Sequence, residues 1–499
     1  MSFSKPDYLL ILLLIFAAVI LVTNLGNIYL WQDEAYTAVI ARNTLTFGIP
    51  QCYDGKNLAV NVLRDRCMFK PTKYSSWLQY YLTALSFRLF GATTFAARLP
   101  FVLFGIGSAG LCYSLAQRAF ANRFVSRIAC ALMVFSAPFF LYSRQCRWYA
   151  LSMFFTLAVL LSYIGTLEKR KRSGLAFIAS SVLLFNSIYG IFFPVMIALA
   201  AHCLVFNRSQ LRRYIKYFIT IGLLILPVLI YYASTELAGT LSLARTKGHL
   251  EFYFRVLNKY IFPCGLFFIS MTVFGIFRKK AYPLLGRPLN KSYLWLFVYM
   301  YIFTILFLLL ADERQLRYLV HLLPLSAILM AVLITGLLKV NKPLSLLLFI
   351  VVCFTNILHM GAPFRKKLWI PQVSIFDQLT HDYDGPVEGI VRYLQENAKS
   401  TDTVKINYGD CAVMFYTDLK VDNAPFGLNS FPEWIVTRVD WAPWLSLDSQ
   451  YRQQIEARYE RIVLNYPDIQ WENRPDPGYH KFRTVTNPKR SKVVVYKKK

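Results

Sequence analysis

Apolar and polar positions in this chain alternate on the scale of whole helices rather than single turns. Runs of about 20 nearly uninterrupted apolar residues can cross about 30 Å of hydrocarbon as helix. They fall at 8–30, 97–117, 124–142, 149–167, 174–190, 191–206, 214–233, 260–277, 292–311, 316–338 and 343–360. The pattern predicts an α-helical polytopic membrane protein with about eleven transmembrane helices. One stretch, 75–90, reads two ways. Trp77, Leu78, Tyr81, Leu82, Leu85 and Leu89 recur at helical spacing, but the run is short and carries Arg88. Counted as a span, it inverts every segment after it.

From Gly361 onward acids return, apolar runs shorten, and Pro and Gly punctuate. Helices are predicted at 389–397 and 450–459, and strands at 403–407, 413–416, 461–465 and 493–496. The chain therefore divides into a membrane domain, 1–360, and a C-terminal soluble α/β domain, 361–499. The closing Lys497, Lys498 and Lys499 read as a solvated tail.

Composition agrees: 499 residues at 56% hydrophobic and only 16% charged are too apolar for one soluble core. A net charge of +28 would suit nucleic acid, but the basic residues come as short runs between apolar segments. That is how cytoplasmic loops read under the positive-inside rule, and it argues against nucleic-acid binding. The same loops resolve 75–90. Read as an interfacial amphipathic helix, it leaves Arg118, Arg123 and Arg127, the 169–172 run, Arg208, Arg212 and Arg213, the 278–291 basic residues, and Lys339 and Lys342 on the side of Lys5. The N-terminus is then cytoplasmic, while 31–96 and the tail domain are external. No small-x-small cleavage pattern follows 8–30, so the first segment is expected to remain as a span.

With this topology nearly all the acids before residue 361 face outward, with Asp7 and Glu168 as exceptions. Cys112, Cys130, Cys203 and Cys353 lie in spans as small apolar residues. Cys52 and Cys67 share the first external loop, where a disulfide would contribute about 3 kcal/mol in an oxidising compartment; the alternative is two thiols.

Four external constellations carry candidate chemistry. Asp33 and Glu34 follow the first span. Neighbours point about 100° apart on a helix, so the two cannot both face one substrate atom. Asp33 reads either as N-cap of a short helix at 34–45 that ends before Gly48 and Pro50, or as a general base with Glu34 in support. Lys70 and Pro71, followed by Lys73 and Tyr74, suit a phosphate at headgroup level, although lysines there also snorkel. Arg144, Arg147 and Tyr149 form a polar break between spans. Asp312, Glu313, Arg314 and Arg317 form another, in which the arginines pair either with phosphate or with the adjacent acids. Arg245 and His249 lie on a loop that could cover the site.

In this order the elements resemble the GT-C membrane glycosyltransferases. The motifs are the acid pair, Lys70-Pro71 before the interfacial helix, Phe90-Gly91 followed by Arg98, the run Tyr142-Ser143-Arg144 with Arg147, Tyr149, Ala150 and Leu151, and Arg314, Arg317 and Tyr318 with Leu323-Pro324. The resemblance covers the first 360 residues and is to the bacterial branch that includes protein O-mannosyltransferases and the aminoarabinose transferase of lipid A. It implies inverting transfer of a monosaccharide from a polyprenyl-phosphate carrier, undecaprenyl phosphate, to a lipid, glycan or protein acceptor at the periplasmic face of a bacterial inner membrane. On that template Asp33 takes the acceptor proton with Glu34 in support. Lys70, Lys73, Tyr74, Arg144, Arg147, Tyr149, Arg245, His249, Arg314 and Arg317 contact the donor. Phe69 stands where the lipid A branch has an acid suited to a metal. No cofactor is certain, and a divalent cation is left open. The sequence shows no His, Cys and Asp cluster at metal-ligand spacing.

Two rivals remain. A transporter or lipid flippase is also polytopic and basic, but it calls for ionisable residues at mid-membrane and two similar halves. A scaffold explains the external domain but not the gathered acids and arginines. Substituting Asp33 separates an enzyme from a scaffold.

Overall fold

A computed structural model describes residues 6–59, 71–73, 75–233, 243–261, 263, 291–311, 313–358, 368–406, 408–422, 431–438, 449–469, 471–486 and 491–499. They are mostly helical and form two compact units, one of 1–23 with 101–373 and the other of 24–100 with 374–499.

In the first unit the spans form because their sequences are apolar all round, so neither face prefers water. Thr94–Phe120, which begins in the second unit and runs into this one, Tyr149–Leu167, Tyr189–Phe206, Arg208–Tyr231 and Leu316–Leu338 are each long and apolar enough to cross a membrane. They differ in what covers them. In Arg208–Tyr231 only 17% of the most apolar window is buried by protein, leaving Ile219, Leu223 and Ile230 exposed as a lipid-facing row. In Tyr149–Leu167 the share is 78%, the environment of a central helix.

Several predicted spans are broken. The run at 8–30 is helical only over Tyr8–Val22, 15 residues, which is shorter than a full crossing. The run at 124–142 is two helices, Arg123–Val134 and Ala137–Ser143, bent by 65° where Ser136 and Pro138 interrupt the backbone pattern. Leu316–Leu322 is a 3-10 turn that leads into Leu323–Val340 with Pro324 in the first turn. The span expected at 260–277 lies almost wholly outside the described residues.

In the second unit, 75–90 becomes the helix Leu78–Phe90, at 13 residues too short to span. Its exposed face carries Tyr81, Leu85 and Leu89, and its buried face carries Gln79, Thr83 and Ser86. An apolar stripe turned outward and polar groups turned inward fit the interfacial reading. The tail builds a sheet in the order Lys420–Asp422, Thr403–Ile406, Trp434–Thr437, Lys492–Lys498, Tyr459–Pro467. The first three strands run parallel, and the last two join antiparallel. Ile435, Ile455, Tyr459, Val494 and Tyr496 form a core on it. The predicted strand at 413–416 is instead part of the helix Asp410–Tyr416, which buries Cys411 through Phe415. A short run apolar on every side carries no periodicity to distinguish the two. The strand Trp434–Thr437 was missed for the related reason that all four residues are buried and do not alternate.

Candidate functional site

The helix Gln32–Phe47 starts after Trp31, whose extended backbone takes the N-cap position, and ends at Gly48 in the left-handed conformation (φ 74°). Trp31, not Asp33, caps this helix, so the capping alternative for Asp33 falls away. Asp33 and Glu34 both lie in the first turn, where the helix dipole favours carboxylates. Both are buried, Asp33 at 8% exposure and Glu34 at 0%.

The two acids have different surroundings. Glu34 forms a two-point pair with Arg98, whose Nε donates to Oε1 at 2.9 Å and Nη2 to Oε2 at 2.7 Å. Arg98 Nη1 also donates to the Leu25 and Ile28 carbonyls at 3.0 and 2.8 Å. One guanidinium thus ties the segment entering the helix to the acid inside it. Sequence reasoning noted Arg98 only as part of a motif, because nothing in spacing reveals a partner 64 residues away. Asp33 lies within electrostatic reach of Tyr408 and Cys411. Burial pushes the phenol and the thiol well up, Glu472 and Asp410 respectively add to this, and the Asp33 charge adds further.

One turn on from Asp33, the Tyr36 hydroxyl hydrogen-bonds Thr72 Oγ1 at 2.8 Å. The Thr72 N–H donates to the Pro50 carbonyl at 2.7 Å, and Trp77 Nε1 donates to the Thr72 carbonyl at 2.8 Å. Thr72, next to Pro71, is thereby anchored to the face of the helix that follows Asp33. Lys73 is half-buried beside it. Lys70, Tyr74 and Cys67 lie outside the described residues, and with Cys67 the expected disulfide partner of Cys52. Cys52 itself is buried, with its sulfur 3.8 Å from the Tyr36 hydroxyl.

The remaining candidates belong to the other unit. Arg144 Nη1 donates to the carbonyls of Ile20, Leu21 and Thr23 at 2.9, 3.0 and 2.7 Å, closing the C-terminal end of the first helix. Its guanidinium also lies 4.9 Å from the Phe140 ring centroid. Arg147 is buried in the tight turn that leads into Tyr149–Leu167. Tyr149 packs edge-on against Tyr142 and Trp148, and Trp148 stacks on Tyr318 at 6.2 Å. Arg317 reaches the Tyr149 hydroxyl at 3.5 Å and Glu313 Oε2 at 3.8 Å.

The helix Leu243–Val256 joins this group. The Tyr253 hydroxyl donates to the Glu313 carbonyl at 3.3 Å, and burial raises its pKa. Arg314 is exposed, lies over the Phe252 ring and approaches the Gly248 carbonyl at 3.4 Å. His249 is buried and, among the described residues, its Nδ1 has no hydrogen-bond partner. Arg245 is on the same helix, but its side chain lies outside the described residues. Arg317 thus meets Tyr149, Arg314 meets the helix that carries His249, and Arg144 braces a helix end. No group of three or more His, Cys, Asp or Glu placed to hold a metal ion occurs among the described residues.

Residues 75–231 match the family model described as dolichyl-phosphate-mannose-protein mannosyltransferase. No curated protein sequence matches the chain. Among solved structures, ArnT from Cupriavidus metallidurans bound to undecaprenyl phosphate is 12% identical with a TM-score of 0.58 over 97% of both chains. The apo state of ArnT from that organism gives 0.55 at the same identity and coverage. The archaeal oligosaccharyltransferase AglB from Archaeoglobus fulgidus, in complex with an inhibitory peptide and a dolichol-phosphate, is 13% identical. Its TM-score is 0.50, over 86% of this chain and 69% of that one. At such identities the likeness is one of fold. The fold of this chain is that of ArnT, and residues 75–231 carry the mannosyltransferase family match.

Proposed function

We propose that this chain is an inverting glycosyltransferase that moves a monosaccharide from a polyprenyl-phosphate carrier, undecaprenyl phosphate, to a hydroxyl of a lipid, glycan or protein at the periplasmic face of a bacterial inner membrane. The observation that carries the reading is the division of labour in the first turn of Gln32–Phe47. Glu34 is held by Arg98, and the neighbouring buried carboxylate, Asp33, is the one assigned to the base role. The bound undecaprenyl phosphate of ArnT and the dolichol-phosphate of AglB support a lipid-phosphate donor. The basic loops at 118–127, 169–172 and 208–213 support the orientation.

In the proposed step the acceptor oxygen forms its bond to the anomeric carbon as its proton passes to the Asp33 carboxylate. The bond from that carbon to the carrier phosphate breaks, and the phosphate leaves with the electron pair from the opposite face, inverting the centre. Lys70, Lys73, Arg147, Arg314 and Arg317 are assigned to the departing phosphate, and Tyr74, Tyr149, Arg245 and His249 to the donor more broadly. Arg144 is assigned to bracing the first helix.

The test is transfer from undecaprenyl-phosphate-linked mannose, galactose and 4-amino-4-deoxyarabinose to membrane extract, with purified wild type and Asp33→Asn of equal thermal stability. Transfer by the wild type alone supports the reading, and equal transfer by both removes Asp33 from the mechanism. Absence of transfer from every donor shifts the reading toward a transporter.

A further inference from the structure

The first turn of a helix has no intrahelical partners for its N–H groups, and a turn capped by tryptophan gains no side-chain bond of its own. A base placed there needs an external hold, and the structure supplies one from the C-terminal domain. Gln32, immediately before Asp33, is bound at both ends of its amide. Nε2 donates to Asp410 Oδ1 at 2.6 Å, and Oε1 accepts from the Gly409 N–H at 3.2 Å. An amide fixed at both oxygen and nitrogen has one orientation, because exchanging the two would set donor against donor and acceptor against acceptor. The approach to the turn is held in the same way. The Tyr29 N–H donates to Glu388 Oε1 at 2.7 Å, Asn473 Nδ2 donates to the Tyr29 carbonyl at 2.7 Å, and the Leu30 N–H donates to the Tyr416 hydroxyl at 2.9 Å. Further along the helix, Arg42 Nη2 donates to the Met414 carbonyl at 2.9 Å, near the C-terminus of Asp410–Tyr416, where a cation is favoured.

We propose that Asp410 is a positioning residue for the reaction: through Gln32 it fixes the rotation of the turn that carries Asp33, so the C-terminal domain is a working part of the catalytic apparatus. The inference rests on the reading of Asp33 as the base. A general base must be held to within a fraction of an ångström of its productive position, and the Gln32 lock acts on the adjacent residue. Asp410 does not touch the reacting atoms. Its carboxyl, pushed up to about 6 chiefly by desolvation and lowered by the Gln32 hydrogen bond, changes no charge in the step.

The test uses the full-length protein with Asp410→Ala, Asp410→Asn and Gln32→Ala, and two readouts. The first is transfer from the undecaprenyl-phosphate-linked sugar the wild type accepts, with kcat and donor KM separated. The second is hydrogen exchange of peptides covering 29–36. Asp410→Ala and Gln32→Ala are expected to lower kcat at least tenfold with donor KM within twofold, and to speed exchange over 29–36. Asparagine at 410 keeps an oxygen to accept from Gln32 and is expected to restore kcat to within threefold. Wild-type kcat in Asp410→Ala overturns the proposal. So does an equal loss in Asp410→Ala and Asp410→Asn with matching falls in melting temperature, which is the mark of a purely structural role. If the wild type transfers none of the three sugars, the enzymatic reading fails, and the exchange arm decides the lock. Faster exchange over 29–36 in Asp410→Ala supports it, and unchanged exchange overturns it.

Discussion

Glu34 and Arg98 face each other with both side chains buried and two hydrogen bonds between them, at 2.9 and 2.7 Å. Breaking a buried pair leaves an uncompensated charge and costs about 3–5 kcal/mol. Arg98 also holds the carbonyls of Leu25 and Ile28, so its loss removes more than the ion pair. Arg98→Ala is therefore expected to lower the melting temperature more than Glu34→Gln, and Arg98→Lys to rescue poorly, since an ammonium cannot span the fork. A double-mutant cycle by thermal unfolding in detergent checks this. Additive effects of the two substitutions would mean the pair is not coupled.

Asp33→Asn keeps size, polarity and compatibility with a helix first turn, so its melting temperature is expected to stay close to that of the wild type. Loss of a general base costs about 10²- to 10⁴-fold in turnover. The combination of intact fold and lost transfer, measured as above, separates a base from a structural carboxylate.

Much of this was legible in the sequence, and what was not has physical causes. The spans could be read because a run such as 149–167 is apolar whichever face is considered, so no tertiary information is needed. The exposed face of Leu78–Phe90 could be read because Tyr81, Leu85 and Leu89 fall on one stripe. The end of the first helix at Val22 was passed over, because Leu25, Ile28 and Leu30 carry the apolar run on, although Thr23, Asn24, Gly26 and Asn27 interrupt it. The break there is met by Arg144, more than a hundred residues on, which donates to the exposed carbonyls. The partnership of Glu34 with Arg98 and that of Gln32 with Asp410 were hidden for the same reason. Long-range pairing of polar groups leaves no periodic trace.

Two carboxyls in the tail domain predict a pH dependence. Burial pushes Glu388 and Glu472 each up to about 7; the Glu472 charge adds to the rise at Glu388, while at Glu472 the Arg438 charge opposes the rise and that of Asp468 adds to it. A folded value above the unfolded one means the folded state keeps a proton the unfolded chain has released. Stability therefore falls as pH rises from about 4.5 to about 7, then levels, by up to about 3 kcal/mol for such a group. Glu472→Gln removes the charge, so it is expected to raise the melting temperature at pH 8 and leave it nearly unchanged at pH 5. An equal shift at both values would locate the effect elsewhere.

Gly389 sits on Pro386–Asn397, where an added Cβ would fall 2.2 Å from the Tyr466 ring. That ring cannot simply swing aside, because its hydroxyl donates to Asp384 Oδ2 at 3.0 Å. Gly389→Ala gains helix propensity of about 1 kcal/mol but forces helix and strand apart, an overpacking cost of about 1–3 kcal/mol. The net expectation is a lower melting temperature. Gly389→Ala in a Tyr466→Ala background is expected to be stabilising, which a thermal melt of the four variants would reveal.

Arg314 tests the donor assignments without touching the fold. It is exposed, and its approach to the Gly248 carbonyl is long at 3.4 Å, so removing it is expected to change stability by no more than about 0.5 kcal/mol. A charge-assisted hydrogen bond to phosphate contributes about 1.5–3 kcal/mol, and solvent exposure places this one at the low end. Arg314→Ala is thus expected to raise the donor KM by about tenfold. Arg314→Lys keeps the charge but loses the planar fork, and should fall between the two. The effect should shrink as salt is raised, since an exposed contact is screened. Measuring donor KM for the three proteins at two ionic strengths decides the matter. An unchanged KM in Arg314→Ala at low salt would remove this arginine from the donor site and leave Arg317, which is held nearer Tyr149, as the contact to examine on that segment.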